Sequence, residues 1–315
     1  MAKTLAVFGA TGQQGSSIIQ SVLNDAELSQ QYLIRAITRD VDAAKAKHKQ
    51  LQSKVVEVVA ADSSDRGSLE KALTGVDTAF VMTTPSFTPD GEEVEFSAGR
   101  TIVDVAVEQG VGYIIFSTLP SPRELSGGKY TKCIHFESKA RLEKYIRGLH
   151  PKVKSAFISP GAFMSNFQNM PFLGPQKAAD GKSWVSTGPN SPKTPIPLID
   201  HGDMGKYVGA ILAEPDKYEG KTFCASTKMY TRQEAADIVS KATGKKVVYK
   251  QLPPEQWASS LPFAQDILLE TFSYVEEFGY YGPRSEELVK WAAENARGKV
   301  TTFEEYLAAN PLLLN

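Results

Sequence analysis

Short runs of apolar, largely β-branched residues recur along the first half of the chain: Leu5 to Phe8, Tyr32 to Ile37, Val55 to Ala60, Thr78 to Met82, Tyr113 to Phe116 and Val153 to Ile158. They are continuously apolar rather than alternating, the mark of strands buried on both faces. The segments between them carry helical spacing. Leu142, Ile146 and Leu149 share one face, while Glu137 with Arg141 and Glu143 with Arg147 are set to pair four residues apart on the exposed side. Strands alternating with helices predict an α/β fold: a Rossmann-type doubly wound parallel sheet over residues 1–160.

The texture changes after about residue 160. Pro and Gly become dense, through Pro171, Gly174, Pro175, Gly181, Gly188, Pro189, Pro192, Pro195 and Pro197. Two capping-box patterns, Thr231 with Glu234 and Thr302 with Glu305, predict helix starts. The expectation is a smaller α/β C-terminal domain over 161–198 and 215–315, with 199–214 returning to the first domain.

Composition narrows the functions. Lys and Arg number 35 and Asp and Glu 36, a net charge of -1 with no basic block, so direct nucleic-acid binding is not expected. No apolar run has membrane-spanning length, and the start, Met-Ala-Lys-Thr-Leu-Ala-Val-Phe, reads as a strand rather than a signal peptide. Only Cys133 and Cys224 are present, without a CxxC pair, so neither a disulfide framework nor a metal site is expected. These readings place the chain in the cytoplasm, with the nucleus open to it as well. A homodimer is left open.

The strongest chemical signal is Gly9-Ala-Thr-Gly12-Gln-Gln-Gly15, between the first strand and a helix. Gly9, Gly12 and Gly15, with Thr11, Gln13 and Gln14, form the kind of turn that lets a backbone approach a pyrophosphate at a helix N-terminus. The second strand ends in Thr38 and Arg39. The acid that would hold an NAD ribose is replaced there by Thr38, and Arg39 suits the extra phosphate of NADP, so NADP(H) is the expected cofactor. Asp40 is either the missing acid or a helix cap. Asp62 and Ser63, at the end of the third strand, either flank the adenine or cap a helix. Thr83 and Thr84 end the fourth strand at the edge where ligands sit.

The glycine turn, Thr38-Arg39, the strand Tyr113-Ile-Ile-Phe-Ser117, His135-Phe-Glu-Ser-Lys139, and Pro160-Gly161-Ala162-Phe163 with Asn166-Phe167 together resemble the NmrA-like family of atypical short-chain dehydrogenase/reductases. Gln176 to Ser183 resembles the HSCARG-type NADPH sensors of that family more particularly. The resemblance covers nearly the whole chain. It implies NADP held by the glycine turn, Arg39, the Asp62 region, the fourth strand's end, Lys139 and the loop from Pro160 to Phe163, with Asn166 beside it. The sensors also carry a Lys in the helix after the fourth strand, where this chain offers only Arg100.

Active short-chain reductases donate a proton from a Tyr four residues before a Lys, beside a Ser on the fifth strand. Ser117 and Lys139 are in register here, but His135 stands at the Tyr position, and none of the twelve Tyr residues precedes a Lys by four. His135 is either a substitute acid or a packing residue at a helix start. Two functions follow. One is a cofactor-ratio sensor or transcriptional regulator working through protein partners. The other is an NADPH-dependent oxidoreductase of a small carbonyl, quinone or unsaturated molecule using His135 and Lys139. Some reductases of the wider family lack the Tyr. An open apolar pocket in front of the nicotinamide points to the enzyme, and one plugged by the 163–167 loop points to the regulator. Asp200 and Asp203 read as helix caps. Trp257, Phe263, Phe272, Tyr274, Phe278, Tyr280 and Tyr281 read mostly as core, with a pocket or partner surface as the alternative.

Overall fold

The computed structural model describes residues 2–53, 56–170 and 172–314; the expectations at Val55 and Pro171 fall outside them. Six strands come from the first half: β1 (Lys3–Val7), β2 (Tyr32–Thr38), β3 (Val56–Ala60), β4 (Thr78–Val81), β5 (Tyr113–Ser117) and β6 (Lys154–Pro160). Seven follow: β7 (Ala162–Phe163), β8 (Gln176–Lys177), β9 (Trp184–Gly188), β10 (Pro195–Ile199), β11 (Thr222–Ala225), β12 (Lys228–Thr231) and β13 (Val247–Gln251). The main sheet runs β11-β6-β5-β4-β1-β2-β3, parallel throughout. It is a Rossmann-type doubly wound sheet, and its order reverses between β1 and β4. A crevice opens at that point at the strands' C-terminal ends.

Successive residues of a strand face opposite sides, so a continuously apolar strand feeds two cores. Leu5 and Val7 enter one with Ile18, Ile19 and Val22 of the helix Gln13–Asn24. Ala6 and Phe8 enter the other with Ile102, Val103, Leu142 and Ile146. Glu143 pairs with Arg147 as expected, at 2.6 Å. Glu137 does not pair with Arg141. It is buried, accepting from the Arg123 N–H at 2.7 Å, while Arg141 pairs with Glu92 and Glu93.

Two small sheets, β12-β10-β7 and β13-β9-β8, stand on a third core that includes Met164, Leu198, Tyr230, Val247, Tyr274 and Phe303. Both capping boxes are present. The segment 199–214 divides: Ile199 ends β10 in a small sheet, while the helix Met204–Ala213 buries Tyr207, Val208 and Ile211 in the first core. Residues 222–225, expected in the smaller domain, instead form β11 on the main sheet beside β6. Their sequence, Thr-Phe-Cys-Ala, is too short to announce that return.

Candidate cofactor cleft and adjoining chamber

Gly9 turns the chain with a positive φ of 66°, a conformation that favours glycine. Gly15 is demanded by packing, because a Cβ there would lie 2.3 Å from the Gly9 carbonyl oxygen. At Gly12 the same atom would meet that oxygen at 3.2 Å, a contact that a few tenths of an ångström relieves. The helix begins at Gln13 with no side-chain cap and no acidic residue in its first turn. Its first N–H groups and its dipole are therefore unspent, and they are available to an anion.

The turn lines a cleft of about 830 Å³ together with Thr38, Arg39, Asp62, Ser63, Thr83 and Thr84. Arg39 is exposed and makes no ion pair or hydrogen bond among the described residues. Asp40 is a cap: its side chain accepts from the Ala43 N–H at 2.9 Å and starts the helix Val41–Lys47. Asp62 caps nothing, since Asp65 caps the next helix. It accepts from the Ser64 N–H and hydroxyl, which hold its carboxyl below the ordinary value, with Arg39 adding to the effect. Lys47 and His48 also line the cleft near Arg39. Sequence reasoning missed them because Lys45, Lys47 and Lys49 look like an ordinary solvated helix end.

At the cleft's inner end lies a buried ion pair. Lys139 donates to Glu95, which also accepts from the Thr83 hydroxyl at 2.6 Å and the Ser138 hydroxyl at 2.5 Å. Glu95 is 3% exposed and Lys139 8%. Burial lowers the Lys139 pKa against the pull of Glu95. Glu95 was not anticipated. Its signal is a carboxylate on the apolar stripe formed with Gly99, Ile102 and Ala106. Arg100 lies away from this site, paired with Asp104 at 3.5 Å and set over the Tyr145 ring.

Beyond the ion pair opens a mostly apolar chamber of about 520 Å³. Ser117, His135, Lys139, Pro160, Gly161, Ala162 and Asn166 line it, and Gln13, Gln14 and Phe163 line both chamber and cleft. The 160–167 loop forms a wall and not a plug. Phe167 packs on Phe303 at 4.9 Å between centroids, and Phe163 packs on His201 at 6.2 Å. Phe87, Phe172 and Phe263 add rings that sequence reasoning had only partly noticed. Of the C-terminal aromatics, Phe263, Phe272 and Tyr280 line the chamber, whereas Trp257, Tyr274 and Tyr281 are buried in the core.

The His135 ring sits 5.5 Å from Phe87 and 4.9 Å from Phe136, and its Nδ1 is buried without a partner. Burial, helped by the Lys139 charge, pulls its pKa down to about 4. The imidazole is neutral near pH 7 and is then a weak proton donor. Cys133 is inert by the same physics, since burial pushes its thiol up to about 12. Asp200 closes a turn onto the Gly202 N–H, and Asp203 holds Thr301 and Lys206, so both are structural. Residues 176–183 form a hairpin closed by Asp180, and among the described residues they line neither cavity. Among the described residues, no helix is long and apolar enough to cross a membrane.

Comparison with known proteins agrees with this architecture. The chain is 30% identical over 313 residues to an NmrA-like family domain-containing protein of Dictyostelium discoideum, covering 98% of this chain and 97% of that one. It is 31% identical over 279 residues to an NmrA-like family domain-containing oxidoreductase of Aspergillus campestris, covering 84% and 80%. Its fold superposes on a crystal structure of NmrA, a negative transcriptional regulator, in complex with NADP, with a TM-score of 0.79 at 20% identity over 99% and 98% of the two chains. The sequence model of the NmrA-like family matches residues 1–307, and the chain belongs to that family.

Proposed function

We propose that this protein is an NADP(H)-dependent oxidoreductase acting on an apolar quinone or enone. The observation that carries the reading is the unplugged apolar chamber, which shares Gln13, Gln14 and Phe163 with the cleft and holds Ser117, His135 and Lys139 on its wall. In the proposed arrangement the pyrophosphate lies on the N–H groups after Gly12, and Arg39 takes the 2′-phosphate. Asp62 and Ser63 border the adenine, and Thr83, Thr84 and Lys139 face the nicotinamide ribose. The family supports a nicotinamide dinucleotide, since NmrA is known in complex with NAD and with NADP, and the Aspergillus relative is named an oxidoreductase; the choice of NADP(H) rests on Arg39.

The cofactor supplies hydride when bound; the chain's residues bind, orient and exclude water. A simple ketone becomes an alkoxide that needs a proton as it forms, and His135, neutral near pH 7, supplies it poorly. A quinone or enone spreads the new charge over a conjugated oxygen and can take its proton later, from solvent. The test is loss of NADPH absorbance with a panel of quinones, enones and simple ketones, on wild type and His135→Ala. Turnover of quinones or enones is expected, with His135→Ala costing less than the roughly 10²–10⁴-fold of a true general acid. NADPH binding with no turnover across the panel would remove the enzyme reading.

A regulator that binds NADP(H) without chemistry is the second reading, favoured by the absence of a Tyr in register with Lys139. Both readings require NADP preference. Arg39→Ala is expected to cost about 1.5–3 kcal/mol in NADP affinity and little in NAD affinity, the scale of a charge-assisted hydrogen bond. Parallel titration of both cofactors decides it, and equal losses would mean that Arg39 does not read the 2′-phosphate.

A further inference from the structure

Arg232 opens the helix Arg232–Thr243 inside a capping box, a setting that in sequence reads as an exposed helix start. In space it lines the apolar chamber. Its guanidinium lies 4.9 Å over the Phe272 ring, and one Nη donates to Asn190 Oδ1 at 2.9 Å. Asn190 is itself fixed: its Nδ2 donates to the Phe272 carbonyl at 2.8 Å, and its carbonyl accepts from the Tyr249 hydroxyl at 2.9 Å. The guanidinium is thus held in one orientation by a rigid partner.

What it lacks is an anion. The Arg232 Nε is sealed from solvent without a hydrogen-bond partner, and Arg232 forms no ion pair among the described residues. Glu276, whose charge it feels, spends its carboxylate on the Ser191 N–H at 3.1 Å and on the Thr194 hydroxyl. Burial pushes the Arg232 pKa down to about 10, which leaves it cationic near neutrality. A half-buried charge with no anion beside it carries a desolvation penalty, so a guanidinium on the wall of an apolar cavity is matched to an anion from outside the chain.

We propose that Arg232 is a specificity-determining residue of the chamber, and that the molecule bound there is an apolar body carrying a carboxylate. This rests on the reading of the chamber as a substrate site. A carboxylate fits better than a phosphate: one guanidinium balances one negative charge in a bidentate pair. The chamber's other cation, Lys139, is already paired with Glu95.

The test is calorimetric titration of the full chain, without NADPH, using biphenyl-4-carboxylate and its neutral isostere biphenyl-4-carboxamide. Wild type is expected to bind the carboxylate roughly tenfold or more tightly than the amide. Arg232→Met should erase that preference, and Arg232→Lys should keep part of it. Equal affinities in wild type, no carboxylate binding, or a preference that survives in Arg232→Met would each overturn the proposal. If Arg232→Met does not fold by circular dichroism, the wild-type pair and Arg232→Lys still decide it. NADPH binding and turnover are measured separately. A wild type that prefers the carboxylate but never turns over loses the oxidoreductase reading alone. One that reduces quinones with no carboxylate preference loses only the role of Arg232.

Discussion

Gly12→Val is expected to abolish NADPH binding while the protein stays folded. Gly12 caps the helix Gln13–Asn24 with φ −85° and ψ 173°, an extended conformation that valine adopts without strain. A Cβ there meets only the Gly9 carbonyl oxygen, at 3.2 Å. The fold therefore gives slightly and holds. The two methyl groups, however, stand over the N–H groups that the pyrophosphate would use. Losing two such charge-assisted hydrogen bonds costs about 3–6 kcal/mol, or roughly 10²–10⁴ in affinity. Fluorescence titration of NADPH beside a thermal melt reads both quantities. Unchanged affinity would mean that the glycine turn is only a turn. Gly15 cannot serve for this test, because its Cβ would strike the Gly9 backbone at 2.3 Å and spoil the turn itself.

Lys139→Met should destabilise the protein by about 3–5 kcal/mol, the cost of breaking a buried ion pair by removing one partner. Glu95, 3% exposed, would be left with two hydroxyl donors and no cation. The double variant Lys139→Met with Glu95→Gln removes the stranded charge and should regain a substantial part of that loss, so the pair is expected to couple strongly. Urea unfolding of both single variants and the double gives the coupling directly. Additive losses would show that the two side chains are not a unit. Strong coupling would place much of the importance of Lys139 in holding together the helices Gly91–Glu108 and Ile134–Arg147.

What could be read from sequence follows a physical line. Strands such as Ile114 to Phe116, apolar on both faces, announce burial between helices, and the Rossmann-type sheet came from them. Local chemistry was equally legible: the capping boxes at Thr231 and Thr302 need only neighbours three residues away. Asp40 stayed ambiguous because a cap and a ribose acid demand the same residue type, and only the bond to Ala43 separates them. Glu95, Asn190 and Arg232 were missed because each takes its meaning from a partner distant in sequence, such as Lys139 or Phe272. Glu137 misled for the same reason, since its spacing to Arg141 promised a surface pair while Ser121 and Arg123 claimed it.

The position of β11 governs how the chain must fold. The outer edge of β6 carries Ala156, Phe157 and Ile158, all fully buried, and its neighbour on that side is delivered only by residues 222–225. The helix Ser285–Glu294, which packs over β11, arrives later still. A nascent chain ending near residue 160 thus presents an apolar strand with unpaired backbone groups, the feature that recruits wrong partners. Closing the intervening loop costs entropy that grows only slowly with its length, so the delay burdens the pathway more than the final stability. The two parts consequently share one sheet. Synthesis rate and chaperone supply, acting before residue 225 emerges, bear on the yield of native protein without altering any contact within it.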